Sequence, residues 1–240
     1  MNFIQGQIKS VKRAARIFAG RDVYFPKQLH HEVVYLGNEG TSWPVCPAAL
    51  AEHPLVYSFG VGEDVSFDFE MIRAFDATVH AFDPTPRSVA WIAGQQLPAN
   101  FHFHPCGVAA HDGVTKFAPP ENPAYVSYTM VAKERTAPSC ELPVKRIPTL
   151  LSELRHARID LLKMDIEGAE YAVIDDLLAS GIRVKHLLVE FHHRWKEVGV
   201  SKTAGAIRSL NAAGYRIFAV SPSGEEYGFL HTDDRMSNCS

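Results

Sequence analysis

L-V-Y-S-F-G-V-G-E-D (Leu55 to Asp64) and, after an amphipathic spacer, T-V-H-A-F-D-P-T-P (Thr78 to Pro86) decide the fold. Val56, Tyr57 and Phe59 are β-branched or aromatic, and their short apolar run stops at Gly60, which reads as a strand entering a turn. Gly60 and Gly62 let the main chain bend sharply and leave no Cβ between it and a ligand. Phe67, Met71, Ile72 and Phe75 recur at helical spacing, so a helix over Val65–Phe75 points its N-terminus at whatever lies over the glycines. A second strand, Thr78–Phe82, then delivers Asp83 twenty-one positions after Gly62. In nucleotide-binding α/β folds an acid at about that distance hydrogen-bonds ribose hydroxyls. The competing role for Asp83 is a turn former or helix cap ahead of Pro84.

The same turn separates two cofactors. A dinucleotide fingerprint needs a third glycine or alanine at the position of Val65, where helix and strand pack closely. G-V-G-E-D-V lacks it, which favours the looser glycine turn of S-adenosylmethionine enzymes over that of NAD enzymes.

The 240 residues fit one α/β domain with extensions, and 46% hydrophobic with 21% charged content is ordinary for a globular protein. A net charge of −3 gives no drive toward nucleic acid. Residues 1–21 nevertheless carry +5 and no acid, leaving −8 on the remainder. Within them Ile4, Ile8, Val11, Ala15 and Phe18 form an apolar stripe beside Lys9, Lys12, Arg13 and Arg16. This predicts an amphipathic helix, either packed on the domain with its cationic face solvated or attached to an anionic membrane or a partner. Cys46, Cys106, Cys140 and Cys239 are scattered, with no zinc pattern and no disulfide framework, so the expected setting is reducing and cytoplasmic. No apolar run approaches the roughly 20 residues of a membrane span.

Residues 1–53 read as that helix plus an irregular Pro-, Gly- and His-rich lead-in with one strand, H-E-V-V-Y-L; residues 54–240 read as the main domain. A helix is expected over Ser88–Gln95, then a strand F-H-F-H whose His102 and His104 share a face. Two strand histidines need a third ligand for a metal, and the sequence around them offers none; no metal is expected. Cys106, Gly107 and Val108 follow at a strand end, where a third strand could edge an adenine ring. Asp112-Gly113 begins short antiparallel strands appended to the sheet, and P-P-E-N-P with Tyr125, Ser127 and Tyr128 could border an acceptor pocket.

Further on, I-P-T-L-L-S-E-L-R reads as a short helix capped by Thr149, and I-D-L-L-K-M as a buried strand. D-I-E-G-A-E-Y-A-V-I-D-D-L-L-A-S-G reads as a helix opened by acids and closed by Gly181. H-L-L-V-E-F is another buried strand, Ala204–Ala213 a helix, and Y-R-I-F-A-V with E-Y-G-F-L-H a terminal antiparallel pair. The alternation signifies a doubly wound α/β sheet. Ligands in such a sheet lie beyond the carboxyl ends of the strands, where Gly60, Gly62, Asp83, Asp165 with Glu167, and Glu190 with His192 fall. Asp165 could equally cap the helix after it. Glu190 ends an apolar run and needs a partner, for which Lys163 is the candidate.

The sequence resembles the FkbM-type family of S-adenosylmethionine-dependent methyltransferases. The resemblance rests on V-Y-S-F-G-V-G, V-H-A-F-D-P-T-P, R-I-P-T-L-L, I-D-L-L-K-M-D-I-E-G-A-E and L-L-V-E-F, which span about residues 54–192. It implies a class I, Rossmann-like fold with a mostly parallel seven-stranded sheet and a reversed last strand. It also implies methyl transfer to a hydroxyl of a sugar or secondary metabolite. Two departures stand out: Ser58 replaces an acid in the first block, and that block's last glycine is absent. Phe59, Gly60, Gly62, Asp83, Pro84, Cys106, Gly107 and Val108 are the expected cofactor contacts. Asp165, Glu190 and His192 are the candidate bases, His192 on intrinsic pKa and the two acids on position. The other readings are an NAD-dependent oxidoreductase and a non-catalytic glycan- or membrane-binding protein that keeps the fold.

Overall fold

A computed structural model describes residues 3–118 and 139–232, with side chains from residue 11 onward. In chain order the elements are α1 (Phe3–Phe18), β1 (Val34–Leu36), β2 (Trp43–Val45), β3 (Leu55–Phe59), α2 (Ser66–Phe75), β4 (Thr78–Phe82), α3 (Pro86–Ile92) and β5 (Phe101–His104). They continue as β6 (Gly107–Val108), β7 (Gly113–Phe117), β8 (Cys140–Lys145), α4 (Ile147–Leu154), β9 (Leu161–Met164), α5 (Glu170–Ser180), β10 (His186–Glu190), α6 (Gly199–Ala212), β11 (Tyr215–Val220) and β12 (Glu226–His231).

Seven strands form the central sheet in the order β11-β12-β10-β9-β3-β4-β5. It is mixed: β10-β9, β9-β3, β3-β4 and β4-β5 are parallel, and both pairings of β12 are antiparallel. The chain leaves β3 toward β4 and β5 on one side, then returns to β9 on the other. A crevice therefore opens where β3 and β9 end, since their outgoing segments part in opposite directions.

Both faces are covered. Tyr57, Phe59, Leu162, Met164, Leu187 and Val189 pack beneath α4, α5 and α6 through Leu150, Val173, Ile174, Leu177, Ile207 and Leu210. On the opposite face Val56, Val79, Ala81, Leu161 and Leu188 meet Phe67 and Met71 of α2, and Trp43 and Val45 of β2. These strand positions are 0% exposed, which explains why β3, β9 and β10 read as continuous apolar runs and not as alternations.

Several boundaries differ from the sequence expectation. The lead-in carries two paired strands, β1 and β2, not one; Pro44 lowers the strand signal of W-P-V. α3 starts at Pro86, with the Thr85 side chain accepting from Ser88 N, because proline suits the first helical turn. For the same reason α4 begins at Ile147-Pro148, so Thr149 lies inside the helix and donates its hydroxyl to Asp112 instead of capping. The Asp112-Gly113 strands do pair antiparallel, as β7 and β8, but with β6 they make a separate three-stranded sheet. Tyr125, Ser127 and Tyr128 lie outside the described residues. Cys46, Cys106 and Cys140 are free thiols. Among the described residues no helix is long and apolar enough to cross a membrane.

The N-terminal helix keeps Lys12 and Arg16 exposed, as its packed reading expects, but it does not bury the described part of its apolar stripe. Arg13 faces the domain, reaching Val23 O and Tyr227 Oη at 3.3 Å each, while Val11 and Phe18 are exposed.

Candidate active site

The crevice is lined by the turn after β3, the end of β4, β6 and the turn after β9, with Trp43, Phe117 and Lys163 on its walls. Phe59, Gly60, Gly62, Asp83, Pro84, Gly107, Val108 and Asp165 all face it. Cys106, Glu190 and His192 are not among its lining residues. Cys106 is half-buried beside the crevice, and burial pushes its thiol pKa up.

Gly60 has φ +84, and a Cβ there would meet Asp165 O at 1.8 Å. No side chain is accommodated where the β3 turn and the β9 turn touch. Asp165 N in turn donates to Phe59 O at 3.1 Å, so the two strand ends are tied directly.

Asp83, expected at the ribose, lines the crevice and is engaged by the chain's own turn. Its Oδ2 accepts from Val61 N at 3.1 Å and Gly62 N at 3.0 Å. Its Oδ1 accepts from Thr85 N at 2.9 Å and Thr85 Oγ1 at 2.6 Å. A carboxylate offers about four acceptor sites, and all are engaged by the protein. The short aspartate side chain ends against the turn amides and clamps the glycine turn onto β4.

Lys163 does not pair with Glu190. Its Nζ donates to Gly60 O at 3.2 Å and lies 5.0 Å from the centre of the Trp43 ring. Neighbouring Leu188 across the ladder is apolar, so the ammonium turns toward the crevice. There it faces an acid that sequence reading missed: Asp68 in the first turn of α2, 2% exposed and lining the crevice. Burial pushes Asp68 up to about 6 against the opposing charge of Lys163. The available signal was an acid set between the two aromatics Phe67 and Phe69 in the first turn of the helix.

The turn after β9 organises the other candidates. Asp165 does not cap α5. Glu167 and Gly168 take positive φ, the helix starts at Glu170, and Glu170 Oε1 accepts from Ile166 N and Gly168 N in the place of a cap. The same oxygen lies 3.0 Å from His192 Nδ1. His192 Nε2 lies 3.3 Å from Glu167 Oε2 and 3.9 Å from Asp165 Oδ1. Burial alone would discharge His192, but hydrogen bonds to Glu167 and Glu170 and the charges of Glu170 and Asp165 outweigh it and push its pKa up to about 12. The acidic neighbours favour the imidazolium form of His192, which counts against it as the proton acceptor its intrinsic pKa suggested.

Glu190 is pushed up to about 9 by burial and by the charges of Asp165 and Glu226, which favours its neutral form. Asp165 is pushed up to about 6 by burial, with Lys163 and His192 holding it down. Its Oδ1 is buried without a hydrogen-bond partner. Among the three candidate bases, Asp165 alone combines ionisation near neutrality with a place on the crevice wall. One ligand-type atom each from Asp165, Glu167 and His192 lies within 4.8 Å of the others, a grouping able to hold a metal ion.

An α/β domain with a glycine-turn crevice at its switch point and a poised carboxylate beside it belongs to the ligand-binding class of doubly wound folds. Residues 45–217 match the model of the methyltransferase FkbM domain, and the chain belongs to that family. It is 26% identical over 155 residues to probable methyltransferase-like protein 24 of Rattus norvegicus, covering 63% of this chain and 36% of that protein. The Homo sapiens protein of the same name matches with the same identity and coverage. The chain thus spans about a third of the length of these curated relatives. The crystal structure of methyltransferase FkbM from Methylobacillus flagellatus KT aligns with a TM-score of 0.47 at 12% identity, covering 75% of this chain and 44% of that one.

Proposed function

We propose that the protein binds S-adenosylmethionine across the crevice and methylates a hydroxyl oxygen of a small-molecule or glycan acceptor, with Asp165 as the general base. The observation that carries this reading is Asp165 itself: a carboxylate poised near pH 6, on the crevice wall, in contact with the Gly60 turn through main chain on both sides. The order of the seven strands, with the last one reversed, supports the class I methyltransferase reading.

The residues present fit the cofactor. Gly60 and Gly62, both at positive φ, leave the main chain bare along the turn. Gly107 packs so closely that a Cβ would lie 3.1 Å from Pro84 Cγ, which keeps the wall formed by Pro84, Gly107 and Val108 flat enough for an adenine ring. Asp68, buried on the crevice wall, supplies negative charge suited to an amino-acid ammonium.

When bound, S-adenosylmethionine supplies a methyl group already activated for displacement. The chain's own work is to align the acceptor oxygen with that carbon, to exclude water, and to take the hydroxyl proton as the oxygen attacks. Asp165 takes that proton, and the neighbouring imidazolium of His192 stabilises the carboxylate before transfer. Lys163, braced by Gly60 O and Trp43, keeps the same carboxylate ionised.

Calorimetry on ligand-stripped protein tests the cofactor directly. Heat is expected with S-adenosylmethionine and its demethylated product, and none with NAD. Heat with NAD alone would replace this reading with the oxidoreductase one. Binding of S-adenosylmethionine without transfer to any hydroxyl acceptor would leave a binding protein.

A further inference from the structure

The described part of the apolar stripe of α1, Val11, Ala15 and Phe18, is exposed among the described residues. Arg13 and Ile17, one turn apart, face the domain, and Arg13 reaches Ser221 O at 3.5 Å as well as Val23 and Tyr227. Val11, Ala15 and Phe18 lie on another side of the helix and point away. Val11 is 68% and Phe18 97% exposed, the latter the highest value among the large apolar side chains described. Among the described residues, Phe18 therefore packs into nothing that the fold uses.

The charges beside the stripe identify its occupant. Lys12, Arg16 and Arg21 are exposed, and residues 1–21 contain no acid, whereas the rest of the chain is net negative. A surface that is apolar in depth and negative at its rim is an anionic lipid interface.

We propose that α1 docks the protein on an anionic membrane surface, with Val11 and Phe18 entering the acyl boundary and Lys12, Arg16 and Arg21 meeting lipid phosphates. The Arg13 contacts to Val23, Ser221 and Tyr227 fix the helix to the domain, so that docking orients the whole protein and does not merely tether it.

The test is co-sedimentation of the full chain with vesicles of phosphatidylcholine alone and of phosphatidylcholine with phosphatidylserine. Pelleting with the anionic vesicles is expected, together with release at high salt. Phe18→Ser should weaken it about tenfold or more, and so should Lys12→Ala combined with Arg16→Ala. Thermal melts by circular dichroism establish that each variant is folded; the positions are exposed, and the charge variant retains the apolar stripe. Equal pelleting with both vesicle types, or unchanged binding by folded Phe18→Ser, overturns the proposal. So does a vesicle-free dimer in sedimentation velocity that Phe18→Ser dissolves, because the stripe would then be covered by a second copy. None of these readouts involves methyl transfer.

Discussion

Glu170 accepts from His192 Nδ1 at 3.0 Å with the same oxygen that closes the turn between β9 and α5. One fully buried carboxylate thus sets both the turn that carries Asp165 and the orientation of the imidazolium next to it. Removing it leaves a buried cation and two turn amides without their acceptor. Glu170→Ala should destabilise the protein by about 3–5 kcal/mol. Urea unfolding measures this, and a loss below about 1 kcal/mol would show that the turn holds without Glu170.

Asp165 and Glu190 occupy neighbouring strand ends, and burial and neighbouring charge raise Glu190 further than Asp165. With Asp165 at about 6, turnover should climb with pH through that region and then level, because the base must be ionised. Asp165→Asn should lower kcat by about a hundredfold or more while leaving S-adenosylmethionine affinity nearly intact. Glu190, at about 9, already favours its neutral form, so Glu190→Gln should leave kcat within about threefold. A severe kcat loss in Glu190→Gln with little change in Asp165→Asn would exchange their roles.

Asp83→Ala removes the acceptor for the amides of Val61, Gly62 and Thr85 together. The glycine turn should loosen, lowering stability by about 2–3 kcal/mol and weakening S-adenosylmethionine binding by at least about tenfold. Calorimetry and thermal melts on the same sample separate the two effects. Unchanged affinity in a folded variant would mean that the turn's shape does not matter to the cofactor.

The Asp165, Glu167 and His192 grouping could serve a divalent cation, but His192 already brings a positive charge to it. A cation would first have to displace a proton whose pKa is about 12. Methyl transfer should therefore survive EDTA with its rate unchanged. Loss on chelation and recovery with Mn2+ would show that these three side chains hold a metal during turnover.

The parts of this molecule that were legible in the sequence are those fixed by local rules. β3, β9 and β10 announce themselves as apolar runs because both faces of the sheet are covered, and Gly181 ends α5 in the left-handed conformation expected of it. The turn at Glu167-Gly168 was not legible, since D-I-E-G satisfies the pattern of a capped helix equally well and only tertiary contact with β3 decides. The surroundings of His192 and Asp83 were obscured for a related reason. Residue type and spacing placed them at strand ends, but their chemistry depends on which donors and acceptors arrive from elements far away in the chain. Likewise, the polarity of α1 was readable, but not which of its sides meets the domain.

The histidines of the far strands show the same limit and carry the last prediction. His102 and His104 were visible as a pair in F-H-F-H, but the fold adds two more. His80 Nδ1 lies 2.9 Å from His104 Nε2, its ring centre is 4.8 Å from that of His102 and 4.6 Å from that of His156, and Tyr57 Oη lies 2.7 Å from His156 Nδ1. Burial first, then the neighbouring histidines, lowers His80 to about 3, and burial also lowers His104 and His156. In the unfolded chain each returns to an ordinary value near 6.5. Below that pH the unfolded state binds protons that the native cluster refuses, so the stability is present in full above about 6.5 and is lost as pH falls. For His80 the loss approaches about 1.4 kcal/mol per pH unit, continuing toward its folded value. Asp68, Asp165 and Glu190 act in the opposite sense, since their raised values favour the native state as pH falls, so the comparison must be made against a variant. His80→Phe keeps an aromatic ring against Tyr57 and His104 but removes the titration. Its urea-unfolding free energy should fall less steeply than the parent's between pH 6.5 and about 5, by roughly 1 kcal/mol per unit. Parallel curves for the two proteins over that interval would mean that the cluster accepts its protons without strain.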